Sequence, residues 1–324
     1  MDYDEMIKMK REEMEIERDE ERQVEGLVKL LWSGIIVAGV LIAFGLVLLL
    51  TACSKESTAT DSTGMATVKV TFNDFSITSE DFPTKDAIAD YNNVKAMTLA
   101  FYKADGTQQY CHTQLRADNT TYTTFGQFSA ELPLGSYTMV ALGYGSEQPI
   151  TLSSATAATY TADRVRETFV ASQAVNVTST SPLTLNAELS RVVSKVHVLS
   201  TDTRTAGVDS VRVTFAAGGK GVNPQTGLAV SNNGLSNTVA ISTGVGVASN
   251  TISYLFLNSD QQTMNITVET IKSNGTVYST RTVTDVPLQR NKVTVLRGPM
   301  YSNASGASFT VSTSYLSDTN YVDF

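Results

Sequence analysis

From Leu30 to Cys53 the chain reads LLWSGIIVAGVLIAFGLVLLLTAC, an uncharged, almost wholly apolar run between Lys29 and Ser54-Lys55-Glu56. Beyond it the pattern changes from continuous to alternating. In residues 66–72 (ATVKVTF), Val68, Val70 and Phe72 alternate with Lys69 and Thr71, the period of a half-buried strand. Looser versions recur at 96–103, 137–142 and 169–177, then at 183–199, 211–215, 251–257, 264–271, 277–283 and 309–315. Asp105-Gly106 and Leu134-Gly135-Ser136 mark turns, and Ser273-Asn274-Gly275 joins two segments as a hairpin. Helical periodicity is almost absent after Cys53, apart from a turn expected around 86–91. Many short strands with Gly and Asn turns predict an all-β protein of two tandem antiparallel β-sandwiches. Ser179-Thr180-Ser181-Pro182 is the best break. The expected division is a prefix and signal over 1–52, a tether over 53–65, and sandwiches over 66–180 and 181–324.

The apolar run is long enough to span a bilayer as a helix, which takes roughly 20 residues. Its ending points elsewhere. Leu50-Thr51-Ala52-Cys53 resembles the bacterial lipobox, in which the thiol is acylated and the chain is cut just before it. Cys53 would then open an exported, lipid-anchored protein, palmitate included, with SKESTATDSTG as a flexible tether. A retained transmembrane anchor is the other reading. Residues 1–29 carry six Lys/Arg against eleven Asp/Glu, unlike the short basic start of a signal peptide. Two explanations stand. Translation starts at Val28, giving a normal signal opening, or MKREEMEIERDEER is a cytoplasmic helical prefix on a retained anchor.

Removing the prefix leaves 18 Lys/Arg against 21 Asp/Glu, which provides no basic face for nucleic acid. The chain has two cysteines. With Cys53 acylated, Cys111 stands alone, no intrachain disulfide forms, and stability must come from buried apolar area. The one tryptophan, Trp32, lies in the signal. Catalysis has little to stand on, and no cofactor or metal is expected. His197 reads as a strand residue, and Cys111-His112 lacks further ligands at metal spacing. Gly218-Gly219-Lys220-Gly221 lacks the Walker spacing. Asp105 and Asp118 are turn formers.

Three stretches resemble the fimbrillin superfamily, the two-domain subunits and anchors of type V pili in Gram-negative gut and oral anaerobes. They are Leu132-Pro133-Leu134-Gly135-Ser136-Tyr137 with MVALGYG after it, the segment LSRVVSKV from Leu189, and VPLQRNKVT from Val286 followed by Leu296-Arg297-Gly298. The last, with its Pro-x-x-Arg-Asn core, is the most specific. The resemblance implies transthyretin-like sandwiches at the cell surface, held in the outer membrane through lipid, with other pilus subunits as partners. It also implies adhesion, with a host or bacterial surface ligand. In stalk subunits a protease removes the first strand and a neighbour's C-terminal strand fills the groove, by strand addition. Here the removable strand would be 66–77. The donor would be 308–315, with Phe309, Val311 and Tyr315 on one face.

One departure bears on the role. No arginine lies between Cys53 and Arg116, and Lys85, in the expected loop DFPTKDAIAD, is the best-placed basic residue for processing. An uncut protein suits an anchor or accessory subunit. The rival class is a surface glycan-binding lipoprotein, with Tyr122, Tyr144 and Tyr160 as candidate aromatic platforms.

Overall fold

The computed structural model describes residues 64–78, 83–87, 91–161, 164–302 and 308–315. Residues 1–52 and 53–324 form two separate units, and every described residue belongs to the second. The lipobox Leu50, Thr51 and Ala52, the acceptor Cys53 and the start at Val28 therefore lie outside the described residues, as does the apolar run. Among the described residues no helix is long and apolar enough to cross a membrane.

Alternating sequence becomes strand throughout. The chain begins with β1 (Met65–Thr78), β2 (Pro83–Ala87), β3 (Ala96–Lys103), β4 (Gln108–Leu115), β5 (Gln127–Pro133) and β6 (Gly135–Tyr144). A hairpin of β7 (Ile150–Ser154) and β8 (Ala157–Tyr160) precedes β9 (Thr168–Val177) and β10 (Leu183–Arg191). Then come β11 (Ser194–Thr203), β12 (Val208–Phe215), β13 (Gly221–Asn223), β14 (Leu228–Ala229) and β15 (Leu235–Ala240). The last are β16 (Ala248–Leu255), β17 (Gln261–Lys272), β18 (Val277–Gln289), β19 (Lys292–Gly298) and β20 (Thr310–Tyr315). Gly106 and Gly275 sit in the expected hairpin turns at φ 84° and 82°, a region glycine enters without a side-chain clash.

The first sheet runs β2-β1-β10-β9-β6-β3-β4, with β5 also paired to β1. It folds over itself, so that Val68, Val70 and Phe72 of β1 share one core with Leu99, Phe101, Met139 and Phe169. A second sandwich stacks the sheet β16-β11-β19-β20 on the sheet β15-β12-β17-β18. Between them lie Val198, Val213, Phe215, Ile266 and Leu296. The two halves are not separate beads. Strand β8 pairs with β13, making a small sheet β14-β13-β8-β7 from both halves. Under it, Ala100, Tyr144 and Tyr160 pack with Tyr254 and Phe256 in a shared core.

Three features differ from the sequence reading. The expected single strand 183–199 is two strands, and the piece expected to open the second sandwich, β10, belongs to the first sheet. The chain changes sandwich at Val192 and Val193, both buried. Periodicity reports that a segment is extended, but it does not name the neighbour. The sandwiches are also mixed rather than wholly antiparallel, because β1 runs parallel to β10 and β11 parallel to β19. Parallel neighbours need a long crossover, here more than half of each sandwich, which no local pattern signals. Finally, Asp86 and Ala87 lie in β2 rather than in a helical turn.

Candidate functional site

The resemblance to pilus subunits implies a role for the two terminal strands, and their geometry bears on that expectation. Strand β1 is interior. Val68, Val70 and Phe72 stand opposite Leu183, Leu185 and Ala187 of β10; on the other side Val68 and Val70 stand opposite Ala130 and Phe128 of β5, and Phe72 N donates to Gly126 O at 3.0 Å. Val68 and Val70 are fully buried and Phe72 is 3% exposed. The Phe72 and Phe128 rings meet edge to face at 6.1 Å. Removing β1 would therefore leave two unpaired ladders around an apolar slot. Lys85 pairs opposite Ser76 in the β1/β2 ladder. The processing candidate expected in a loop has a backbone held in a strand, whereas nicking favours exposed loop tips.

Strand β20 is an edge. Among the described residues it pairs only with β19, antiparallel, from Lys292 opposite Tyr315 to Arg297 opposite Thr310. The expected inward stripe divides. Phe309 is half-buried against the second core, while Val311 is 39% exposed. The Tyr315 side chain lies outside the described residues. Phe309 can come close because residue 298 has no side chain. A Cβ there would stand 2.9 Å from the Phe309 ring and 2.9 Å from Ser308 O.

The segment before β20 is fastened. The Asp202 carboxylate accepts from the backbone N–H of Met300 (2.8 Å), Tyr301 (2.9 Å) and Ser302 (2.7 Å). Burial pushes the Asp202 carboxyl up, but the Ser200 hydroxyl and these three amides stabilise the anion more, and its pKa is lowered. Tyr301 also hydrogen-bonds Ser249 through its hydroxyl. The chain is thus pinned up to Ser302, and β20 hangs beyond the pin.

Two of the resemblance stretches meet in space. Arg191, at the end of β10, donates to Asn291 Oδ1 (3.4 Å), and Asn291 N donates to Val193 O (2.8 Å). Asn291 adopts φ 60° in the turn from β18 to β19, which asparagine tolerates better than most residues. The Arg191 Nε lies 2.7 Å from Glu167 Oε1. Tyr91 completes the cluster, donating to Glu167 Oε2 (2.8 Å) and accepting from Arg191 (3.0 Å). The third stretch joins through Gly145, whose N–H donates to Glu167 O (2.9 Å). Glu167 and Tyr91 escaped the sequence reading. The available signal was Arg191 itself, since an arginine in an apolar strand requires a buried carboxylate.

The chemical candidates have structural surroundings. His197 is buried, and burial together with Lys195 pushes its pKa down to about 4. Its ring is thus neutral inside the sheet near pH 7. His112 packs edge to face on Phe128 at 6.2 Å. Gly218, Gly219 and Gly221 abut Phe256 O, Ser231 and Thr159, leaving no room for a Cβ, so these glycines serve close packing. Asp105 accepts from Thr107 N, as a turn former should. Tyr144 and Tyr160 are core residues and offer no platform. No cluster of metal-ligating side chains occurs among the described residues. One expectation is reversed, because Cys111 is disulfide-bonded rather than lone. The sequence reading assumed that acylation had used the other sulfur.

The chain is similar to a candidate adhesin from Bacteroides ovatus, with a TM-score of 0.46 and 13% identity over 71% of this chain and 87% of that one. It is also similar to the fimbrial anchor protein Mfa2 from Porphyromonas gingivalis, with a TM-score of 0.45 and 10% identity over 77% and 97% of the two chains. The tip fimbrial protein Mfa3 of that organism, C-terminally truncated, gives a TM-score of 0.36 and 11% identity over 78% and 99%. No curated protein matches the chain. A family model matches residues 146–322, and the chain belongs to that family, described as a family of unknown function (DUF6562).

Proposed function

We propose that this protein is a non-enzymatic structural subunit of a surface fimbrium, an anchor or accessory subunit that keeps β1 and lends β20 to a neighbour. The observation that carries the reading is the unequal hold on the two terminal strands. β1 is flanked on both sides and buried, whereas β20 has one neighbour among the described residues and an exposed valine. The three fimbrillin-like stretches, converging on Arg191 and Glu167, support it from the sequence side. Strand addition to a second subunit would satisfy the free edge of β20 with main-chain hydrogen bonds and bury its apolar face. The absence of arginine from Cys53 to Arg116 supports an uncut β1.

The test is mass spectrometry of the protein recovered with sheared surface fibres. The expected result is a chain continuous through residues 64–87, co-recovered with other fibre subunits. A chain beginning at Asp86, or absence from the fibres, would overturn the reading.

The lipobox resemblance supports lipid on Cys53 and placement at the outer membrane. Acylation of Cys53 would leave Cys111 without a second cysteine of its own chain to bond. Metabolic lipid labelling combined with alkylation of Cys111 without reductant decides it. Label together with an alkylated thiol supports lipidation, and neither supports the disulfide.

A further inference from the structure

The first sandwich is not closed by backbone all the way round. Strand β4 has β3 as its ladder partner, and β5 has β1. Side chains bridge β4 to β5. Gln114 Nε2 donates to Gln127 O (2.6 Å), its Oε1 accepts from Gly126 N (2.8 Å), and the Tyr110 hydroxyl donates to Ser129 O (3.3 Å). At this seam lies a cleft of about 630 Å3, within the range of small-ligand sites. Tyr110, His112, Tyr122 and Phe128 supply rings to its wall, and threonine hydroxyls and glutamine amides supply the polar groups.

The loop carrying Tyr122 is built rather than slack. Arg116 donates from Nε to Val94 O (2.7 Å) and from a terminal nitrogen to Tyr91 O (3.2 Å). Its guanidinium lies 4.2 Å from the centre of the Phe125 ring, and that ring packs on Tyr122 at 5.7 Å. The Tyr122 hydroxyl donates to Arg116 O (3.1 Å). Asp118 accepts from the Thr120 hydroxyl (2.7 Å), which closes the turn. Tyr122 is thereby half-buried in one position at the rim, and a fixed aromatic loses little conformational freedom when it binds.

The chemistry of the wall selects the ligand. Among the described residues no carboxylate lines the cleft, so it is not built to pair with a charged cation, and Lys69 is a poor basis for binding a polyanion. A wholly apolar ligand would strip water from the threonine and glutamine groups without replacing their hydrogen bonds. A neutral sugar satisfies both kinds of surface, offering C–H faces to the rings and hydroxyls to the polar groups. We propose that this cleft binds a neutral oligosaccharide, with Tyr122 as the stacking platform. The inference is independent of strand exchange and of the fimbrial reading.

Saturation-transfer NMR tests it on the full chain in a sugar-free detergent, with maltohexaose, cellohexaose, chitohexaose and mannohexaose as probes. At least one probe is expected to bind with a dissociation constant at or below roughly 1 mM. Tyr122→Ala should weaken that binding by at least about tenfold, and Tyr122→Phe, which keeps the ring, by less than about threefold. Thr123→Arg, at an exposed position on the cleft, is a second variant that blocks the site without opening the core, and it should also abolish the signal. Silence from all four probes would overturn the proposal. So would wild-type binding by both Tyr122→Ala and Thr123→Arg.

Discussion

Over Val68–Phe72, β1 has a hydrogen-bonded neighbour on each side, whereas β20 has one over its whole length. Each end carries apolar residues on one face, Val68, Val70 and Phe72 at every second position in β1, and Phe309, Val311 and Tyr315, interrupted by Thr313, at β20. In β1 Val68, Val70 and Phe72 all point into a core, while at the other end Phe309, just before β20, packs on one and Val311 faces solvent. The difference shows that an apolar stripe does not by itself fix a strand. What fixes β1 is its place between β5 and β10, and what holds β20 among the described residues is a single ladder and the Phe309 ring over a glycine. A strand held in that way can leave without unmaking its sandwich.

The same charge placed in each strand should break the comparison most sharply. Val70→Asp puts an unpaired carboxylate in a fully buried position. It is expected to cost more than about 4 kcal/mol and to abolish cooperative thermal melting by circular dichroism. Asp202→Ala, at the pin before β20, should cost roughly 2–3 kcal/mol, since the lost acceptor is charged and serves three amides. The linkage has a definite sign. Because the folded carboxyl titrates below its ordinary range, its contribution is complete above that range and is lost as pH falls through the lowered pKa. The difference in melting between wild type and Asp202→Ala should therefore shrink in acid.

Gly298→Ala intrudes on Phe309 and Ser308 O and should cost about 1–2 kcal/mol as overpacking. The damage should be local, with faster proteolysis at 303–315 and unchanged protection of β1. The smallest effect on folding belongs to Val311→Asp. At an exposed position it should shift stability by no more than about 0.5 kcal/mol. If β20 pairs with a neighbour, the folded variant should nevertheless disappear from sheared fibres, and its normal incorporation would break the link between β20 and assembly.

How far the sequence could be read follows from what each pattern encodes. Alternation at 66–72 gave both the strand and its buried face, because a strand that packs on one side repeats every two residues. At 309–315 the same rule gave the strand but not its exposure, since an edge strand can keep its period while its apolar face meets water. Strands β2, β4, β5 and β15 were not among the expected segments, and neither were β7, β8, β13 and β14, which are two to five residues long and form a sheet across the two halves. The VPLQRNKVT and LSRVVSKV stretches were singled out in sequence, yet their meeting at Arg191 and Asn291 depends on the long-range parallel pairing of β11 with β19. Tyr122 was one of three tyrosines chosen for exposure, and the other two proved to be core. Only the packing of Arg116 on Phe125 distinguishes it, and that geometry has no local signature.

The central claim is that the two terminal strands differ in how firmly this chain holds them. Native-state hydrogen exchange measures both in one sample, since amides in firmly held elements exchange only through global opening while loosely held ones open locally. The amides of β20 that pair with β19 should exchange at least about 100-fold faster than the paired amides of Val68–Phe72. Equal protection of the two strands, or faster exchange in β1, would contradict the account.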